Sequence, residues 1–176
     1  DSACDRVDDL RDCPDCRVHR CLLQGLMQTF LPFEDFRKSL SCLDYQRLGK
    51  QRVEAFQLLI VNGDEWALAE RQWRIDQGLM KDRPLKNGWV NHPAAVMWRG
   101  YNEALHLYFN TAIIEWLHRA YNNTMRKAPI SSRIETPPWL GWPEFHASHR
   151  ANLLRKDPAY YGQFGWKEDP NLPYVW

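Results

Sequence analysis

Apolar side chains return every three to four positions from about Ser41 to Val61, with Leu48, Ala55, Phe56 and Leu59 on one side of a helical wheel and Arg47, Lys50 and Glu54 on the far side. The spacing predicts a helix that begins near Ser41 or Cys42 and stops at Asn62-Gly63. A second helix is predicted from Asp64, a good N-cap, to about Gln77, with Trp66, Ala69 and Trp73 as its buried stripe and Gly78 after it. Met80 to His92 has no period and reads as loop. Pro93 then opens a longer helical pattern that reaches about Tyr121, with a bend near Asn110. Its inner face is Met97, Tyr101, Leu105, Tyr108, Ala112, Ile113 and Leu117. Four prolines between Pro129 and Pro143 mark an irregular crossing, and a last helix follows from Pro143 to just before Pro158. No stretch alternates with period two and no repeat is visible. The pattern therefore predicts an all-α fold, a compact single-domain helical bundle with long irregular loops.

Composition narrows the class. At 176 residues, 44% hydrophobic and 13% aromatic, the chain can bury one real core and is too short to suggest two. No apolar run approaches the roughly 18 residues of a bilayer span, and none resembles a secretory signal, so the expectation is a soluble, cytoplasmic protein with no membrane partner. The net charge of +1 hides an asymmetry: residues 1–26 hold six Asp against four Arg, a balance of −2, which leaves +3 on the remainder. Four of the five cysteines (Cys4, Cys13, Cys16, Cys21) also fall in this arm. A single Cys-x-x-Cys followed by His19 and Cys21 competes as a small zinc site, but it lacks a second paired cluster, so free thiols and no metal are expected. Residues 1–26 read as an extension, disordered or foreign to the native product. The domain then runs over 27–176 from Met27.

Two constellations carry candidate chemistry. In LDYQRLGKQRVEA, Leu43 to Ala55, the carboxylate of Glu54 lies one to two turns beyond Arg47 and Lys50. A solvated ion pair worth under ~1 kcal/mol is one reading. The other is a carboxylate held among phosphate-binding cations as a general acid/base or as a stabiliser of a cationic sugar. The second constellation is FHASHRANLLRKDPAYYGQFGW, Phe145 to Trp166, a basic helix that runs into a turn of aromatic rings. His146, His149 and Arg150 share a helical neighbourhood, and Arg150, Arg155 and Lys156 suit phosphates. Tyr160, Tyr161, Phe164 and Trp166 each read singly as core, whereas four rings in seven residues, broken by Gly162 and Gly165, suit stacking on bases. The His pair has no third ligand in sequence, so no metal is expected there. Gly88-Trp89-Val90-Asn91-His92-Pro93 reads as a helix cap, with a phosphate at that helix start as the alternative.

Taken together, MQTFLPFEDF, LDYQRLGKQRVEA, GWVNHPAAVMWRGY and FHASHRANLLRKDPAYYGQFGW resemble the pyrimidine-dimer DNA glycosylase family, the endonuclease V type of the T-even phages, in a bacterial branch. The likeness spans Met27 to Trp176. It implies an all-α repair glycosylase with abasic-site lyase activity that needs no cofactor, acts on damaged double-stranded DNA and works as a monomer. In such enzymes an N-terminal amine attacks C1′, forms an imine and breaks the strand by β-elimination. The resemblance places that amine at Met27, beside Gln28, and the assisting carboxylate at Glu54. It places phosphate contacts at Arg47 or Arg52 and at Arg150, and a strand-holding aromatic tail over Tyr160 to Gly165. The family's lysine in that tail is replaced by Gly162, which leaves open a pyrimidine dimer, another modified base or an abasic site as substrate. Two rivals remain: a DNA-binding relative with altered catalysis or an enzyme of hypermodified bases, and a Trp-rich protein-interaction domain.

Overall fold

The computed structural model describes residues 28–84 and 89–176. The cysteine-rich arm, Met27 and the stretch from Leu85 to Gly88 lie outside the described residues. Among the described residues seven α-helices follow in order, namely α1 (Phe36–Ser41), α2 (Tyr45–Val61), α3 (Glu65–Asp76), α4 (Pro93–Trp98), α5 (Asn102–His118), α6 (Pro143–Lys156) and α7 (Pro158–Tyr161). No strand occurs among the described residues, so the fold is all-α. None of these helices is long and apolar enough to cross a membrane.

The centre of the molecule is α2 packed along α5, with α1, α3 and α4 around them. Leu48, Ala55, Phe56 and Leu59 of α2 are buried against Leu105, Tyr108, Phe109, Ala112 and Ile113 of α5 in one core that also takes in Trp98, Trp139, Phe145 and Tyr161. Gly49 lets this pair close, because a Cβ there would stand 3.1 Å from the Trp116 ring.

The structure corrects the sequence-derived elements at four points. The helix expected from Ser41 begins at Tyr45, because the Asp44 side chain accepts from Arg47 N at 3.0 Å and caps it, while the preceding residues form the separate α1. Of the expected α3 stripe, Trp66 is partly buried against Phe56 and Phe109 of the core, Trp73 is half-buried and Ala69 is exposed; the fully buried residues of α3 are Ala67, Glu70 and Arg74. This side of α3 meets a polar loop, where Arg126 pairs with Glu70 and Arg74 donates to Thr124 O at 3.0 Å. The long helix breaks at Gly100 (φ 86°) and not at Asn110. Asn110 is instead a buried anchor, exchanging two 2.8 Å hydrogen bonds with the main chain of Ala128. Finally, α5 ends at His118, and Leu117, expected inside, is exposed.

Candidate active site

The described chain enters through a segment without regular secondary structure, Gln28 to Leu31, that is wholly buried yet has no neighbouring strand among the described residues. Its main chain still needs hydrogen-bond partners, and side chains from three helices supply them. From α2, Gln51 Oε1 accepts from Phe30 N at 2.9 Å and Gln51 Nε2 donates to Gln28 O at 3.1 Å. From α5, the Tyr108 hydroxyl lies 3.0 Å from Phe30 O and 2.6 Å from Gln51 Oε1. From α6, His149 Nδ1 accepts from Leu31 N at 3.0 Å, while His146 Nδ1 donates to Leu31 O at 2.7 Å and His146 Nε2 accepts from Gly141 N at 2.9 Å. In addition Trp98 Nε1 donates to Thr29 Oγ1 at 2.9 Å.

At the head of this segment Gln28 N–H donates to Glu54 Oε2 at 3.4 Å, and Gln51 Nε2 donates to the same oxygen at 3.2 Å. Glu54 therefore turns toward the entering chain and is half-buried, not on a solvated far face. Burial pushes its carboxyl up to about 7, against the pull of Lys50, the two N–H donors and Lys156. Lys156 is itself drawn below the usual lysine range, by burial and by the neighbouring Arg47, Arg155 and Lys50. A carboxyl that titrates near neutrality, ringed by cations, can give and take a proton at working pH. His149 is fully buried and pushed down to about 3 by desolvation, so it is a neutral acceptor for Leu31 N.

The remaining residues expected at a DNA face divide sharply. Lys50 and Lys156 are exposed and form no ion pair among the described residues. Arg47 is half-buried, pairs with Asp44, reaches Asp157 at 3.9 Å and lies 5.5 Å from the Tyr161 ring centre. Arg155 is exposed but leans on Pro170 O at 3.1 Å and on Asn152. Arg150 spans Glu168 (2.6 Å) and Pro32 O (2.7 Å), tying the C-terminal tail to the entering segment. Four expected DNA contacts are corrected by burial. Arg52 is 1% exposed, stacked 3.9 Å over Trp116 and bonded to Asn123 Oδ1 at 2.7 Å. His146 spends both nitrogens and His149 its Nδ1 on main chain, and His149 Nε2 lies 3.5 Å from the Gln28 side-chain amide. Tyr161 is fully buried, with its hydroxyl on Asp44 Oδ2 at 2.6 Å. The rings nonetheless form a stack: Phe164 lies on Trp166 (5.1 Å, 20°) and Trp166 on Tyr161 (5.8 Å, 15°), with Tyr160 half-buried beside them and Phe164 exposed at the end. His92 caps α4 by accepting from Ala94 N at 3.2 Å, which leaves that helix start no role as an anion site.

Two residues of the site escaped the sequence reading. Gln51 is the clearer, because it lies three residues after Leu48 and four before Ala55, a polar residue on the apolar stripe, and that placement is the signal. Tyr108 was legible only as core. A groove of about 650 Å³ lined by Tyr101, Glu103, Arg133 and Glu135 shares no residue with this site.

The all-helical domain thus sets a half-buried carboxyl, raised to about 7, in the field of two exposed lysines, a setting that suits a polyanionic ligand. The chain belongs to the pyrimidine dimer DNA glycosylase family, whose model matches residues 27–129. It is thus a DNA glycosylase by family, with DNA as substrate. The matched span covers the entering segment and α1 to α5 and stops before α6. No curated protein and no solved structure matches the chain.

Proposed function

We propose that the protein excises a damaged base from duplex DNA and cleaves the resulting abasic site through an imine formed by an α-amine at the head of the domain, supplied by Met27 or, after trimming, by Gln28. The observation that carries this reading is the 3.4 Å approach of Gln28 N to Glu54 Oε2, which brings the start of the family domain against a carboxyl raised to about 7. An α-amine has a reference pKa near 8, so an appreciable fraction is neutral and nucleophilic at neutral pH. Its nitrogen attacks C1′, the bond to the base breaks, and the base leaves with a proton. The neutral Glu54 carboxyl gives its proton to O4′ as the sugar ring opens to the imine. The carboxylate left behind stabilises the imine cation and takes the C2′ proton, and the C3′–O bond then breaks with departure of the phosphate. A distorted lesion lowers the cost of opening the duplex and supplies part of the selectivity. Lys50, Lys156 and Arg47 hold phosphates around the carboxyl, and the exposed Phe164 face offers a ring to an unstacked base.

Borohydride trapping on duplexes with a pyrimidine dimer, an abasic site or an oxidised base tests the reading. A covalent adduct on the N-terminal peptide is expected. No adduct on any of the three overturns it and leaves a DNA-binding relative without the chemistry.

A further inference from the structure

We propose that Gln51 is a positioning residue for this reaction: its carboxamide locks the main chain that carries the reacting nitrogen to Glu54 and reserves Glu54 Oε1 as the oxygen that carries the proton. The inference rests on the imine reading above.

The orientation of the Gln51 amide is fixed by its neighbours. Phe30 N–H can only donate, so the end 2.9 Å from it is the carbonyl oxygen; Gln28 O can only accept, so the end 3.1 Å from it is the nitrogen. The Tyr108 hydroxyl at 2.6 Å completes the oxygen, and Glu54 Oε2 at 3.2 Å completes the nitrogen. Gln51 is fully buried, and both its acceptor sites and both its N–H groups are in use. Leu would fill that place on the apolar stripe of α2 without any polar group to satisfy, so what the amide adds is connection. A densely connected buried network has few alternative arrangements, and this one spans the entering segment, α2 and α5, with the one Tyr108 proton shared between Gln51 Oε1 and Phe30 O.

The geometry also separates the two oxygens of Glu54. Both N–H donors, Gln28 N and Gln51 Nε2, reach Oε2. A carboxylic proton on Oε2 would face two donors, so it sits on Oε1. Gln51 thereby holds one face of the carboxyl against the segment and leaves the other for proton transfer. Loss of the amide frees Gln28 O and Phe30 N together and removes one of two donors from the carboxyl. Burial raises the titration of Glu54, and Lys50 and Gln51 on α2, Gln28 N on the segment and Lys156 on α6 oppose it; Tyr108 of α5 and Tyr174 of the C-terminal tail also lie in the field of its charge.

The test is single-turnover borohydride trapping on an abasic-site duplex by the full chain, from pH 5.5 to 9, with affinity for the same duplex and thermal melting measured alongside. Gln51→Leu is expected to slow imine formation by about 10- to 100-fold, to change affinity by less than about threefold, and to move the carboxyl-dependent limb of the pH profile upward. A merely structural role would lower melting and affinity together and leave that limb in place. An unmoved limb and rate in folded Gln51→Leu overturn the proposal. If that variant does not fold, Tyr108→Phe decides: a smaller slowing with the limb moved in the same direction supports the lock, and an unmoved limb overturns it. Failure of the wild-type chain to trap at all refutes the imine reading and this role with it, whereas trapping that is indifferent to Gln51 refutes only the role.

Discussion

Arg52 and Glu54 stand two residues apart on α2, face opposite walls, and show two ways of burying charge. On one wall the Arg52 guanidinium lies 3.9 Å over the Trp116 ring and donates to Asn123 at 2.7 Å, and burial draws it down only to about 10. It stays a cation at neutral pH, screened from any phosphate. On the other wall Glu54 has two N–H donors on one oxygen, no hydrogen bond on the other among the described residues, and a carboxyl raised to about 7. The first charge is held by a ring and an amide, with its Nε and Nη2 unbonded among the described residues, and the second lies near the balance of two protonation states at neutral pH. Structural burial removes a choice of state, whereas the Glu54 environment preserves one, and under the proposed mechanism that separates a scaffold ion from a reactive one.

Glu54→Gln strikes the comparison hardest. General acid–base groups contribute roughly 10²- to 10⁴-fold, so turnover on lesion duplex should fall by about that factor while affinity stays within about threefold. The same variant reports on the raised carboxyl through stability. The folded carboxyl holds its proton more tightly than the unfolded one, whose value is near 4.5, so this contribution is fullest below that pH and is lost as pH rises through 7. Glu54→Gln should therefore gain on the wild type by roughly 1–3 kcal/mol between pH 5 and pH 8 in paired denaturant titrations. Equal losses of binding and turnover with no such gain would make Glu54 another scaffold ion.

Arg52→Met probes the other wall. It keeps the apolar stem but strips the cation from Trp116 and the donor from Asn123, and a loss of about 1–3 kcal/mol is expected in urea unfolding. The salt dependence of DNA binding by the folded variant should not move. A shallower salt slope with unchanged stability would show that Arg52 meets a phosphate and would erase the contrast between the walls.

The fold was largely legible because its helices announce themselves by period and punctuation: Asn62-Gly63, Asp64 and Pro143 all mark ends that the structure keeps. The errors fell where tertiary demands outweigh period. Asn110 looks like a bend but serves Ala128, and Glu70 and Arg74 look solvent-facing but answer the polar loop at Thr124 to Arg126. At the site, Glu54 was readable as a lone carboxylate among cations. The aim of Arg52, His146, His149 and Tyr161 was not, since residue type suggests a phosphate or a base equally well whether the side chain points out or in. The four-residue entering segment explains the histidines: a buried main chain without a strand partner recruits polar side chains, and no local pattern in α6 reveals that need.

The smallest effects concern the cations that border the reactive wall. Lys50 and Lys156 are exposed and free of ion pairs among the described residues, and both pull the Glu54 carboxyl downward. Each Lys→Ala change should weaken binding to lesion duplex and to undamaged duplex by a similar factor, because a phosphate contact carries no base information. Each should also lower the slope of log affinity against log salt by about 1. Arg155→Ala is the internal comparison: its guanidinium already holds Pro170 O and Asn152, so its slope change should be the smaller. The Lys variants carry a second signature that a remote phosphate contact lacks. Removing a cation that stabilises the carboxylate moves the Glu54 limb of the pH–rate profile upward, whereas Arg155→Ala leaves it in place. A Lys156→Ala variant with an altered salt slope and an unmoved limb would detach this lysine from the carboxyl and leave Lys50 as the cation that tunes it.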